Sequence, residues 1–119
     1  MQTLNVRVQT FGGLKDELLR NLARADTDPA FEAQPTLSFD SWDTMHRILA
    51  PKRTQIVMAM AGRGALTVRD VARLVERDIK NVHGDLDMLA KSGVIDKTDG
   101  GFVFPYDRIH IEFDMEAAA

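Results

Sequence analysis

The strongest hydrophobic rhythm lies in the second half of the chain. Val68, Val71, Ala72 and Val75 recur at helical spacing. Thr67 and Asp70 open that run as a capping box with a shortened acid. A longer stripe follows, with Val82, Leu86 and Leu89 at i, i+4 and i+7. It predicts a helix over about 79–92, stopped by Gly93. Lys80, Gly84, Asp87 and Lys91 fall on the opposite side, with Asn81 and His83 on the flanks. Next, Val94-Ile-Asp-Lys-Thr and Phe102-Val-Phe-Pro flank Asp99-Gly100-Gly101, the signal of a β-hairpin.

The first half alternates between the two periods. Leu4, Val6 and Val8 interleave with Asn5, Arg7 and Gln9, a half-buried strand over 3–9. Gly12-Gly13 is expected to break it. Leu14, Leu18, Leu19 and Leu22 then mark an amphipathic helix of about 14–25, with Lys15, Asp16, Glu17, Arg20 and Arg24 opposite. A polar loop runs from Asp26 to Pro35, and Thr36-Leu-Ser-Phe suits a short strand. Ser41 is a candidate N-cap for a helix over about 42–49, with Trp42, Met45, Ile48 and Leu49 as its apolar stripe. Pro51 suits the first turn of the next helix, whose buried face is Ile56, Val57, Met60 and Ala61 and whose end is Gly62 and Gly64. Residues 108–114 alternate again, Ile109, Ile111 and Phe113 against His110, Glu112 and Asp114. The tail from Glu116 is expected to fray.

Short capped helix, turn, longer helix and hairpin form the order of a winged helix-turn-helix, whose second helix enters the DNA major groove. The expected fold class is therefore α+β, a winged helix-turn-helix with an additional N-terminal strand–helix and a C-terminal strand. Residues 1–40 form the N-terminal strand–helix–strand extension, suited to dimerisation. Residues 41–107 form the DNA-binding domain, and residues 108–119 the C-terminal strand and tail.

Net charge is −3, unusual for a DNA binder, but its distribution is uneven. Residues 41–108 hold 11 Lys and Arg against 9 Asp and Glu; residues 1–40 hold 4 against 6, and residues 109–119 hold 0 against 3. The cations gather in the helix-turn-helix, with an excess small enough that non-specific affinity should be weak and salt-dependent.

Side chains near the start of a recognition helix reach base edges, where Asn pairs with adenine and Arg or Lys with guanine. This makes Arg77, Lys80, Asn81 and His83 the candidate groove surface, although Arg77 has Asp78 and Glu76 as alternative partners. Lys52, Arg53 and Arg69 stand near helix N-termini and are candidate phosphate contacts. Lys97 and Thr98 occupy the hairpin tip. Asp85 falls toward the packed side of its helix, with a nearby arginine such as Arg73 as the expected partner. Asp87 is read as solvated charge.

No other chemistry stands out. Cysteine is absent, so no disulfide framework or thiolate zinc site is expected. His46, His83 and His110 sit on separate elements without metal-ligand spacing. No nucleophile elbow or phosphate-binding loop is complete. Neither enzymatic activity nor a cofactor is expected. No apolar run approaches a bilayer span, and the first residues lack the plan of a signal peptide, so a cytoplasmic protein without a membrane partner is expected.

The string Arg77-Asp-Ile-Lys-Asn-Val-His-Gly-Asp-Leu, with Pro51-Lys-Arg-Thr-Gln-Ile-Val before it and Gly-Gly-Phe-Val-Phe-Pro-Tyr after it, resembles predicted prokaryotic winged-helix transcriptional regulators, distantly MarR- or ArsR-like. The likeness extends upstream through Leu37-Ser-Phe-Asp-Ser-Trp, about two thirds of the chain. It implies transcriptional regulation. The strands over 3–9 and 108–114, each with one apolar face and an edge to cover, are the candidate interface of a homodimer, unless they pair within one chain and cover the helix at 14–25. Such a dimer is expected to bind double-stranded DNA in repression. The resemblance also implies a toxin-like protein partner, with this chain as the autoregulating antitoxin. A winged-helix module that neutralises such a partner without strong DNA binding is the alternative. Gly84 stands where the family leads one to expect a basic residue.

Overall fold

The computed structural model describes residues 2–9, 11–28, 30, 35–115 and 117, and at Phe11 the backbone only. Their elements run β1 (Thr3–Val8), α1 (Phe11–Thr27), β2 (Thr36–Phe39), α2 (Trp42–Ile48), α3 (Pro51–Met60), α4 (Val68–Val75), α5 (Ile79–Lys91), β3 (Asp96–Thr98), β4 (Gly101–Val103) and β5 (Arg108–Glu112). The chain is thus mixed α+β. Most of the polar loop expected before Pro35, and the tail expected to fray from Glu116, lie outside the described residues. The fold divides into two units, one of Met1–Gln2 with His46–Arg108, the other of Thr3–Met45 with Ile109–Ala119.

In the second of these, a three-stranded sheet has the order β2–β1–β5. β1 and β2 are parallel, paired from Asn5↔Thr36 to Val8↔Phe39. Parallel neighbours need a crossover rather than a tight turn, and α1 lies in that connection. The pleat sorts the residues: Leu4, Val6 and Phe39 are buried, whereas Arg7 and Gln9 reach α1. Arg7 Nη1 donates to Glu17 Oε1 at 2.8 Å, and Gln9 Nε2 donates to Glu17 Oε2 at 2.9 Å. Arg7 Nε also lies 2.8 Å from Glu112 Oε1. Helix α1 therefore meets the sheet's polar side through a polar residue. Leu14 is half-buried, but three other leucines are left outward: Leu18, Leu19 and Leu22 are 55%, 55% and 65% exposed.

Two expectations for α1 are corrected. It runs Phe11–Thr27 rather than 14–25, and Gly12-Gly13 lies inside it instead of breaking the chain. The first turn tolerates glycine because its amides have no intrahelical acceptor to lose. The strand expected over 108–114 is shorter, Arg108–Glu112.

The other unit packs α3, α4 and α5 with the β3–β4 hairpin. Ile56, Val57 and Met60 from α3 are buried with Val71 and Ala72 from α4. Val82, Leu86 and Leu89 supply α5's buried stripe, each fully enclosed side chain contributing roughly 1.5–3 kcal/mol. Val94, Ile95, Phe102 and Phe104 complete this core. The β3–β4 pair is antiparallel, with Lys97 opposite Phe102. Phe102 exchanges two hydrogen bonds with Leu66, at 2.7 and 2.8 Å. Gly101 adopts φ 129°, and a Cβ there would meet the Leu66 carbonyl oxygen at 2.1 Å. Only glycine fits this close approach.

Candidate nucleic-acid interface

Caps fix where α4 and α5 begin. Thr67 Oγ1 accepts from the Asp70 amide, and the Asp70 carboxylate accepts from the Thr67 amide, both at 3.1 Å. The Thr67 amide, then its hydroxyl, hold the Asp70 carboxyl below its ordinary pKa. At the other end of α4, Glu76 turns the chain in the left-handed region, φ 55° and ψ 49°. After it, Asp78 caps α5 by accepting from the Asn81 amide at 3.1 Å.

From that start, α5 leaves Lys80, Asn81, His83 and Gly84 exposed while Val82 is buried. A Cβ at Gly84 would meet nothing within 4 Å. His83 Nε2 lies 3.7 Å from Asp87 Oδ2, one turn further along. Ile79, at the first position of the helix, is 47% exposed although its spacing from Val82 and Leu86 continues the buried stripe.

Asp85 organises the arginines. Its Oδ2 accepts from Arg77 Nη2 at 2.8 Å, and its Oδ1 lies 3.2 Å from Arg53 Nε. The latter is an ion-pair contact without hydrogen-bond geometry, since the buried Nε has no aligned acceptor among the described residues. Arg53 Nη1 instead donates to the Arg47 carbonyl at 2.7 Å. The expected Asp85–Arg73 bond is replaced by this pair of contacts, and Arg77 bonds Asp85 rather than Asp78 or Glu76. Arg77 Nη1 is buried and has no hydrogen-bond partner among the described residues.

The sequence candidates fall into three places. Lys52, Arg53, Arg77 and Asn81 line one hollow of about 630 Å³ with Ala50, Pro51 and Asp85. Arg69 and Arg77 line a neighbouring hollow of about 370 Å³ with Arg73 and Ile79. Lys80 and His83 line neither and are exposed on α5, His83 beside Asp87. Lys97 and Thr98 are on the hairpin, where Lys97 Nζ lies 6.0 Å from the Phe102 ring centre. The Thr98 hydroxyl donates to the Gly101 carbonyl at 3.2 Å.

Three features escaped the sequence reading: the clamp on Asp85, exposed Ile79 and left-handed Glu76. Ile79 had a signal, since it is the first residue after the Asp78 cap. Among the described residues, no three His, Asp or Glu side chains gather to hold a metal ion, and no helix is long and apolar enough to cross a membrane.

The class is thus a mixed α+β chain carrying a cation-lined hollow beside an exposed helix start. Residues 48–111, more than half of the chain, match the HVO_A0114 family, and the chain belongs to it. No curated protein and no solved structure matches the chain.

Proposed function

We propose that this protein is a DNA-binding transcriptional regulator of winged helix-turn-helix type, with α5 as its recognition helix and β3–β4 as its wing. One observation carries the reading. The first half of α5 exposes Lys80, Asn81 and His83 beside Gly84, whose missing side chain leaves the helix surface open to close approach. Asn81 and Lys80 supply base-edge and phosphate contacts. In the adjoining hollow, Lys52 takes a backbone phosphate. Exposed Ile79 suits the methyl group of thymine.

The protein acts without chemistry. As a homodimer in the cytoplasm it occludes a promoter by seating two α5 helices in successive major-groove turns. The resemblance noted above refines this to an antitoxin that represses its own operon.

Fluorescence anisotropy on the DNA upstream of the protein's own gene tests the reading. Lys80→Ala and Asn81→Ala should each cost about 1–3 kcal/mol. Lys80→Ala should weaken all sequences alike, and Asn81→Ala should relax preference at one base pair. Wild-type affinity in the double variant overturns the assignment. Absence of DNA binding, with a neighbouring gene product co-purifying one to one, favours the partner-neutralising module.

A further inference from the structure

The uncovered leucines of α1 lie on a face with an internal symmetry. Lys15, Leu19, Leu22 and Asp26 follow at spacings of four, three and four residues, which align them on one side of a helix. All four are exposed, and Leu18 flanks them, exposed as well. Glu17, bonded to Arg7 and Gln9, keeps the opposite side of α1 on the sheet. The stripe reads cation, leucine, leucine, anion, so reversing its direction exchanges the signs of its ends.

We infer that a second copy of this chain covers this face, α1 against α1 in antiparallel array. In that array Leu19 of one copy lies against Leu22 of the other, and Lys15 faces Asp26 twice. The contact is self-complementary about a two-fold axis, as a closed dimer requires. A parallel array would oppose Lys15 to Lys15 and Asp26 to Asp26, and like charges select against it. An anionic membrane surface is a poorer occupant. α1 carries Lys15, Arg20 and Arg24 against Asp16, Glu17 and Asp26, so it offers no net positive charge. The inference deepens, and rests on, the homodimer of the proposed regulator, but association is measured without DNA.

Sedimentation equilibrium of the full chain reads the association. Wild type should dimerise at micromolar concentration. Leu19→Glu with Leu22→Glu should weaken the dimer at least about 100-fold, since two charges per copy would be buried unpaired. Circular dichroism checks that the helices persist. Lys15→Asp alone and Asp26→Lys alone should each weaken it by roughly three- to tenfold, and the two together should restore it. That reciprocal rescue decides the matter even where the leucine variant misfolds. A monomeric wild type, a dimer indifferent to the leucine changes, or a swap no better than its single changes overturns the inference. A monomer that still binds operator DNA removes this interface and leaves the regulator; a dimer that ignores DNA does the reverse.

Discussion

The Asp85 carboxylate is 2.8 Å from the guanidinium of Arg77 and joins it to Arg53, so one anion ties the α4–α5 turn to the start of α3. The three side chains are only 16–19% exposed. A charge this enclosed is costly to leave without its counterpart. Asp85→Asn keeps the shape and removes the anion. It should lower stability by about 2 kcal/mol, allowing for the remaining exposure. In the DNA reading the freed cations should also steepen the slope of log affinity against log salt by roughly one. An unchanged urea midpoint would show that the clamp is not structural.

What the sequence made legible was local. The Thr67–Asp70 box, Ser41 as a cap, the α5 stripe and the Asp99-Gly-Gly hairpin each depend on residues a few positions apart, and the structure contains them all. What stayed hidden depends on distance in the chain. Asp85 forms an ion pair with Arg53 across 32 positions, and periodicity shows only that it faces inward. In α1 the pattern marked an apolar face but not what it meets. The sheet side it approaches is lined by Arg7 and Gln9, which favour Glu17 over the leucines. Of the candidate interface, exposure at Lys80, Asn81 and His83 followed from helical phase. The enclosure of Arg53 and Arg77 did not, because it belongs to Asp85.

The α4 capping box should show in both stability and its response to acid. Thr67→Ala removes the acceptor for the Asp70 amide and should cost about 1 kcal/mol. The Asp70 carboxyl is depressed in the folded state, so its contribution is complete above the ordinary carboxylate pKa. It is lost as pH falls through the lowered folded value. Urea titrations from neutral to acid pH should therefore find wild type losing more stability than Asp70→Asn. Parallel curves would remove the box from the acid response.

Glu76 is the one non-glycine residue with positive φ among those described, and it ends α4 where glycine is the usual choice. A Cβ costs energy in this conformation, and that cost outweighs the stability it lends by restricting the unfolded chain. Glu76→Gly should raise stability by roughly 0.5–1 kcal/mol despite glycine's greater unfolded-state freedom. A fall in melting temperature would mean that the Glu76 side chain holds the turn by a contact outweighing the strain.

Gly84 poses the sharpest opposition between folding and function. In a helix interior glycine costs about 1 kcal/mol relative to alanine. Space does not demand it, since a Cβ there would meet nothing within 4 Å. Gly84→Ala should accordingly stabilise the protein by about 1 kcal/mol, read as a rise in urea midpoint. If α5 lies deep in a groove, the same methyl group holds the helix away from the duplex, and DNA affinity should fall by about threefold or more. Opposite signs in the two measurements are the expected outcome. A variant that is more stable and binds DNA unchanged would show that this part of α5 does not approach the duplex closely, and the open surface around Gly84 would then no longer support the recognition helix.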